Sequence, residues 1–84
     1  MKYTIKFTKK AKKFISSQTP KQQERLLKAI YKLPDEGDIK ALSGNRNGYR
    51  LRVGDYRVIY EMNHNILLIS VLDVGNRGQI YNNL

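Results

Sequence analysis

The chain of 84 residues contains no cysteine, no tryptophan and one histidine. The lack of cysteine excludes disulfide bonds and thiolate metal sites, and it favours a cytoplasmic protein. No His, Asp or Glu set has metal-ligand spacing, so we expect no metal and no other cofactor. The converging carboxylates that a two-metal nuclease needs are missing as well. Cleavage of a phosphodiester would therefore rely on other side chains.

Acidic residues are few, seven against 16 Lys and Arg, which gives a net charge of +9. A small domain with this charge attracts polyanions such as nucleic acid. Hydrophobic residues make up 40 % of the chain, which is ordinary for a globular protein, so the charge does not mark a disordered tail. We expect a single domain over residues 1–84.

Long hydrophobic runs are also missing. The longest, residues 66–74, is interrupted by Ser70 and Asp73 and is too short to span a bilayer. The basic N-terminus is not followed by an apolar stretch, so we expect no signal peptide. The sequence therefore predicts no association with a membrane.

The first half of the chain predicts one strand followed by two helices. Apolar and polar residues alternate over residues 2–7, which is typical of a half-buried strand. Thr8 and Thr19 are favourable N-caps for the two helices, and Pro34 ends the second helix. The link over residues 17–19 is short, so the helices form a hairpin.

The second half predicts three strands. Residues 35–48 read mostly as loop, and the strands cover residues 49–53, 56–62 and 66–74. Gly54-Asp55 is a two-residue hairpin turn with Gly at the first position. The order β-α-α-β-β-β predicts an α+β fold, a small antiparallel sheet with the N-terminal helical hairpin packed on one face.

The hairpin turn places three arginines together. A two-residue turn sets Arg52 directly opposite Arg57, with Arg50 on the same face of the sheet. Like charges in these positions destabilise a strand pair, so a bound anion best explains the cluster. Because the guanidinium fork matches phosphate oxygens, we predict a phosphate-binding face. Without a metal or a suitable histidine, such a face points to RNA, whose own 2′-hydroxyl can act as the nucleophile.

Other candidates lie outside this cluster. Tyr81 follows Arg77 by four residues in a polar tail, where its phenol could stack on a base, transfer a proton or anchor the tail. Further candidates for RNA contacts are four lysines of the first helix and one arginine of the 35–48 loop: Lys9, Lys10, Lys12, Lys13 and Arg46. The alternative for the helix lysines is a solvated surface.

Four segments carry a family resemblance: Leu-Ser-Gly at 42–44, Tyr-Arg-Leu-Arg at 49–52, Asp-Tyr-Arg-Val-Ile-Tyr at 55–60, and the ending from Val-Gly-Asn-Arg to Ile-Tyr at 74–81. Together with the β-α-α order, they resemble the RelE-type toxins of the RelE/ParE superfamily over nearly the whole chain. The resemblance implies a ribosome-dependent endoribonuclease that cuts mRNA in the A site and is neutralised by an antitoxin, which we expect to be acidic.

The same resemblance implies roles for five residues. Arg50, Arg52 and Arg57 would stabilise the charge at the scissile phosphate, Arg77 would assist the leaving oxygen, and Tyr81 would act as the base. The 2′-hydroxyl would attack to leave a 2′,3′-cyclic phosphate. Two alternatives stay open, a non-enzymatic gyrase inhibitor of the ParE type and a plain basic RNA-binding module.

Overall fold

A computed structural model describes residues 3–44 and 47–76 of the chain. Its elements follow in the order β1 (Thr4–Phe7), α1 (Lys9–Ser16), α2 (Pro20–Ile30), β2 (Asp38–Ala41), β3 (Gly48–Val53), β4 (Tyr56–Asn63) and β5 (Leu68–Asn76). The predicted α+β class and helical hairpin are confirmed. Within these two segments, no helix has the length and apolar character needed to cross a membrane.

The strands form one mixed sheet in the order β1-β5-β4-β3-β2. β1 runs parallel to β5, whereas the other neighbours are antiparallel, so the prediction of a purely antiparallel sheet was wrong in this respect. The reason is connectivity. A tight turn forces antiparallel pairing, but two helices and three strands separate β1 from β5 along the chain, which leaves either direction possible.

Strand β2 occupies a stretch that the sequence predicted as loop. It forms the edge of the sheet, where Asp38 lies opposite Arg52 and Lys40 lies opposite Arg50. Gly37 leads into the strand with a φ of +130°, and a Cβ on it would lie 2.6 Å from Leu51 Cδ1. Only glycine adopts this conformation readily.

Both helices start at the predicted caps. The Thr8 hydroxyl accepts a hydrogen bond from Ala11 N at 3.1 Å, and the Thr19 hydroxyl accepts one from Gln22 N at 3.3 Å. α2 ends at Ile30, four residues before the predicted stop at Pro34. A proline ring clashes with the carbonyl four residues earlier in a helix, which here is that of Ile30, so the chain leaves the helix before Pro34.

The core lies between the helices and one face of the sheet. Ala11 and Ile15 of α1 pack with Leu26 and Ile30 of α2 against the sheet face that does not carry Arg52. The fully buried strand side chains are Leu51, Val58, Tyr60, Ile69 and Val71. The other sheet face is therefore free of the helical layer.

A β-bulge in β5 changes which side chains face the core. Ile59 pairs with Asp73, but the next residue, Tyr60, pairs with Val71. The extra residue lets Val71 and Val74 both enter the core and turns Asp73 to the other face. β5 also begins two residues later than predicted, and Ile66 lies in the preceding turn with 64 % of its surface exposed.

Candidate functional site

The β3–β4 hairpin has the predicted register. Arg52 pairs with Arg57 and Val53 pairs with Tyr56 across the Gly54-Asp55 turn. Gly54 has a φ of +58°, as a glycine at the first position of such a turn requires. Since side chains alternate along a strand, the prediction that Arg50, Arg52 and Arg57 share a face is confirmed.

We call this surface the arginine face. It is the sheet face opposite the helices, and its central side chains come from two rows of cross-strand neighbours. One row is Asp38, Arg52, Arg57 and Gly75, and the other is Lys40, Arg50, Ile59 and Asp73. Four cations thus lie on adjoining positions of three strands.

The three arginines differ in their surroundings. Arg52 is exposed, whereas the Arg50 side chain is 15 % exposed and its Nη2 lies 3.5 Å from Asp38 Oδ1. Arg57 is only 4 % exposed, and its Nη1 donates to the carbonyls of Gly54 at 3.4 Å and Tyr56 at 3.1 Å. Arg57 therefore supports the turn, while Arg52 presents its guanidinium to solvent.

Acidic side chains partly balance the charge of the arginine face. The Asp38 side chain is 58 % exposed at the edge strand. Glu61 lies two residues after Ile59 on β4 and therefore on the same face. Asp73 is held by Lys10 of α1, with Nζ and Oδ2 3.1 Å apart. Asp73 thus pairs with a helix lysine, whereas Asp38 pairs with Arg50.

The helix lysines do not join this cluster. Lys9, Lys12 and Lys13 are exposed on α1, which packs on the opposite side of the sheet. Lys10 pairs with Asp73, so its charge is compensated within the chain. The structure thus separates the predicted helix contacts from the arginines.

Three other predicted residues fall outside the described residues: Arg46, Arg77 and Tyr81. Their assignments stay predictions.

Lys40 is a candidate that the sequence prediction missed. It lies on the arginine face opposite Arg50, beside a pocket of about 320 Å³ lined by Lys40, Ala41, Leu42, Ser43 and Arg50. The available signal was the alternation of Asp38, Ile39 and Lys40, which is typical of a short strand. The polar residues and glycines around it favoured a loop instead.

Tyr60 lies on the core side of the hairpin and does not supply a base for the arginine face. Burial, with a smaller contribution from the neighbouring Tyr49 phenol, raises the pKa of Tyr60 to about 12. The two rings stack with centroids 5.5 Å apart. Tyr60 is therefore protonated at neutral pH. His64 lies in the turn after β4, with its Nδ1 2.7 Å from the Tyr3 hydroxyl.

No metal-binding group forms in the described part of the chain. Three or more His, Asp or Glu side chains nowhere come together there in a way that could hold an ion. The chemistry available on the arginine face is the binding of anions by fixed cations.

Residues 2–81 match the family model of the ParE toxin of the type II toxin-antitoxin system parDE. The chain belongs to the RelE/ParE toxin family. No curated protein matches the chain in sequence.

Solved structures of RelE/ParE toxins share this fold. The RelE–RelB complex from Pyrococcus horikoshii OT3 matches at 31 % identity and a TM-score of 0.77, covering 94 % of this chain and 99 % of that one. The RelB–RelE complex from Methanococcus jannaschii matches at 28 % identity and a TM-score of 0.75, covering 94 % and 98 %. The isolated E. coli RelE toxin shares the fold at 22 % identity, with a TM-score of 0.74 and coverage of 96 % and 93 %.

Proposed function

We propose that this member of the RelE/ParE toxin family is a ribosome-dependent endoribonuclease that cleaves mRNA and thereby blocks translation. The observation that carries the proposal is the juxtaposition of Arg52 and Arg57 across β3 and β4, with Arg50 on the same face. Clustered guanidinium groups bind phosphate oxygens, and they are costly to fold without such a ligand.

The reaction follows from the chemistry of RNA. The ribose 2′-oxygen loses its proton and forms a bond to the adjacent phosphorus, while the bond from phosphorus to the 5′-oxygen breaks and that oxygen gains a proton. The products are a 2′,3′-cyclic phosphate and a free 5′-hydroxyl. Arg50, Arg52 and Arg57 stabilise the negative charge that develops on the phosphoryl oxygens. No metal ion takes part in this scheme.

The C-terminal pair is assigned to the two ends of the reaction. Tyr81, in its ionised form, takes the proton from the 2′-hydroxyl, Arg77 stabilises the departing 5′-oxygen, and a water molecule supplies the proton that this oxygen gains. The ribosome holds the mRNA so that the 2′-oxygen is aligned with the phosphate, which removes much of the entropic cost of the reaction. Because the proposed substrate is mRNA on the ribosome, the toxin would act in the cytoplasm.

An antitoxin is the second proposed partner. Two RelE structures that match this chain are complexes with RelB. With a net charge of +9, this chain would attract an acidic antitoxin segment that folds as it docks. Association should slow steeply as salt rises, and a salt-independent rate would contradict this electrostatic attraction.

Inhibition of DNA gyrase is the competing function, because the matching family model describes ParE toxins. Brief expression of the chain, followed by mapping of mRNA 5′ ends and assay of DNA supercoiling, separates the two. The nuclease predicts new 5′ ends within translated codons and unchanged supercoiling. Altered supercoiling with intact mRNA would establish gyrase inhibition instead. RNA binding without cleavage or supercoiling change would leave a plain RNA-binding module.

A further inference from the structure

We propose that Lys40 and Arg50 form a subsite for the mRNA nucleotide next to the scissile phosphate. The proposal rests on the function above and adds a substrate-positioning residue, Lys40, from the edge strand. The pocket beside these two side chains would receive the phosphate and part of the nucleoside.

The register brings the two cations together. Lys40 of β2 lies directly opposite Arg50 of β3 on the arginine face, and Lys40 is exposed. Two like charges in directly opposed positions destabilise a strand pair. Asp38, which pairs with Arg50 at 3.5 Å, lies opposite Arg52 instead of Lys40. A phosphate between Lys40 and Arg50 would offset the repulsion.

The pocket has the size and chemistry of a nucleotide site. Its volume of about 320 Å³ lies at the lower end of the range for small-molecule pockets, roughly 300–1,000 Å³. Lys40, Arg50 and the Ser43 hydroxyl offer hydrogen-bond donors, while Ala41 and Leu42 offer apolar surface. A phosphate attached to a nucleoside would contact both the hydrogen-bond donors and the apolar surface, whereas a free phosphate ion would contact only the donors.

The pocket adjoins the proposed reaction centre. Arg50 lines the pocket and is also two residues from Arg52, so their Cα atoms are about 6.6 Å apart along one face of β3. An RNA strand that places one phosphate at Arg52 can therefore place the neighbouring nucleotide at Lys40. This contact would position the substrate without touching the reacting atoms.

Lys40→Gln tests the subsite because it removes the charge and keeps most of the side-chain length. Lys28→Gln is the matched control, since Lys28 is an exposed lysine of α2 on the other layer. The full-length variants are titrated with 2′-O-methyl RNA trinucleotides and tetranucleotides, which bind but are not cleaved. The same proteins are assayed for steady-state cleavage on programmed ribosomes over a range of ribosome concentrations.

The subsite predicts that Lys40→Gln weakens tetranucleotide binding by about threefold to tenfold and lowers the salt slope by about 0.7, the value for one lost phosphate contact on a single strand. Lys28→Gln should change neither quantity. Wild-type protein should gain affinity from the fourth nucleotide, and Lys40→Gln should lose that gain. On ribosomes, Lys40→Gln should raise KM and leave kcat nearly unchanged, and Lys40→Arg should restore KM.

Unchanged binding and KM in Lys40→Gln, with normal cleavage by the wild type, would overturn the subsite and leave the proposed function standing. Lys40-dependent RNA binding without any cleavage would support the subsite and refute the nuclease. Competition with inorganic phosphate tests whether the pocket binds a free phosphate ion instead of a nucleotide. If this ion competes at low millimolar concentration while the fourth nucleotide adds no affinity, the pocket is a free-phosphate site and the nucleotide subsite is wrong.

Discussion

Arg52 and Arg57 lie directly opposite each other on the arginine face, yet one is exposed and the other is 4 % exposed. Arg57 donates to the carbonyls of Gly54 and Tyr56 and so ties its own strand to the turn. Arg52 extends into solvent from the neighbouring strand. Arg57 therefore supports the hairpin in addition to its proposed role at the phosphate, whereas Arg52 is assigned the proposed role alone.

This difference predicts that alanine at the two positions acts differently on stability. Arg57→Ala should lower the free energy of unfolding by about 1–2 kcal/mol, because two turn carbonyls lose a charged donor. Arg52→Ala should stay within about 0.5 kcal/mol of the wild type, as is usual at exposed positions. Urea unfolding measures both values.

Both arginine variants should lose cleavage activity, by roughly 10²–10³-fold, the usual effect of removing one group that stabilises charge in the transition state. Activity must be measured under conditions in which Arg57→Ala remains folded. Full activity in Arg52→Ala would remove this residue from the proposed site, and equal destabilisation of the two variants would contradict their assigned surroundings.

Asp38 should weaken binding of RNA by occupying Arg50. The pair is 3.5 Å long and the carboxylate is 58 % exposed, so its loss should change stability by less than about 1 kcal/mol. Asp38→Asn should tighten RNA binding by about twofold to fivefold, the equivalent of one exposed ion pair. Fluorescence titration of the non-cleavable tetranucleotide at two salt concentrations measures the change.

Asp35→Asn is the control, since it removes the same charge from the exposed loop after α2. An equal gain in both variants would show that only net charge matters. Weaker binding in Asp38→Asn would show that Asp38 positions Arg50 for the substrate.

Edge strand β2 could not be predicted from the sequence, whereas the hairpin could. The hairpin register followed from the Gly54-Asp55 turn alone, because a two-residue loop fixes which residues face each other. β2 has four residues and one partner strand, so its formation depends on pairing with β3 more than on local preference. Since β2 was predicted as loop, Asp38 and Lys40 could not be placed on the arginine face.

The burial of Arg57 could not be predicted from the sequence either. Strand parity gives the face on which a side chain lies, but it gives neither the exposure of that side chain nor its partners. The bulge in β5 is a similar case, because Asp73 and Val71 share one parity in the sequence and lie on opposite faces in the structure. A local shift of one residue changes the face of every later side chain.

Tyr60→Phe should stabilise the protein by about 1 kcal/mol. The Tyr60 hydroxyl is buried and has no hydrogen-bond partner among residues 3–44 and 47–76, so its removal relieves an uncompensated desolvation cost. Tyr31→Phe is the control, because Tyr31 is exposed and should stay within about 0.5 kcal/mol. Urea unfolding at pH 7 measures both. Destabilisation by Tyr60→Phe would show that the hydroxyl has a favourable partner.

Tyr60→Phe should also differ from the wild type in how its stability changes at alkaline pH. Burial raises the pKa of Tyr60 to about 12 from its ordinary value of 10.0, so the unfolded chain releases this proton first. Ionisation of Tyr60 leaves the free energy of unfolding unchanged below pH 10 and lowers it as the pH rises from 10 through 12, in total by about 2–3 kcal/mol. The wild type should therefore lose stability between pH 10 and 12 more steeply than Tyr60→Phe. Parallel pH profiles would contradict the raised pKa.

Tyr81→Phe separates proton transfer from base stacking. If the phenol is the base, single-turnover cleavage on programmed ribosomes should fall by roughly 10²–10⁴-fold with ribosome affinity almost unchanged. If the ring only stacks on a base, phenylalanine keeps the ring face and the rate stays near that of the wild type. Tyr81→Ala, which removes both functions, is the control that shows whether the ring matters at all.

The central claim is tested most directly by incubating the purified chain with ribosomes carrying a defined mRNA in the A site and analysing the ends of the products. We expect cleavage within the A-site codon, with a 2′,3′-cyclic phosphate on the upstream fragment and a 5′-hydroxyl on the downstream fragment. Cleavage of the same mRNA without ribosomes should be much slower. Arg52→Ala should cleave the same mRNA roughly 10²–10³-fold more slowly. An uncut mRNA with the folded wild-type chain, or equally fast cleavage of naked mRNA, would contradict the account.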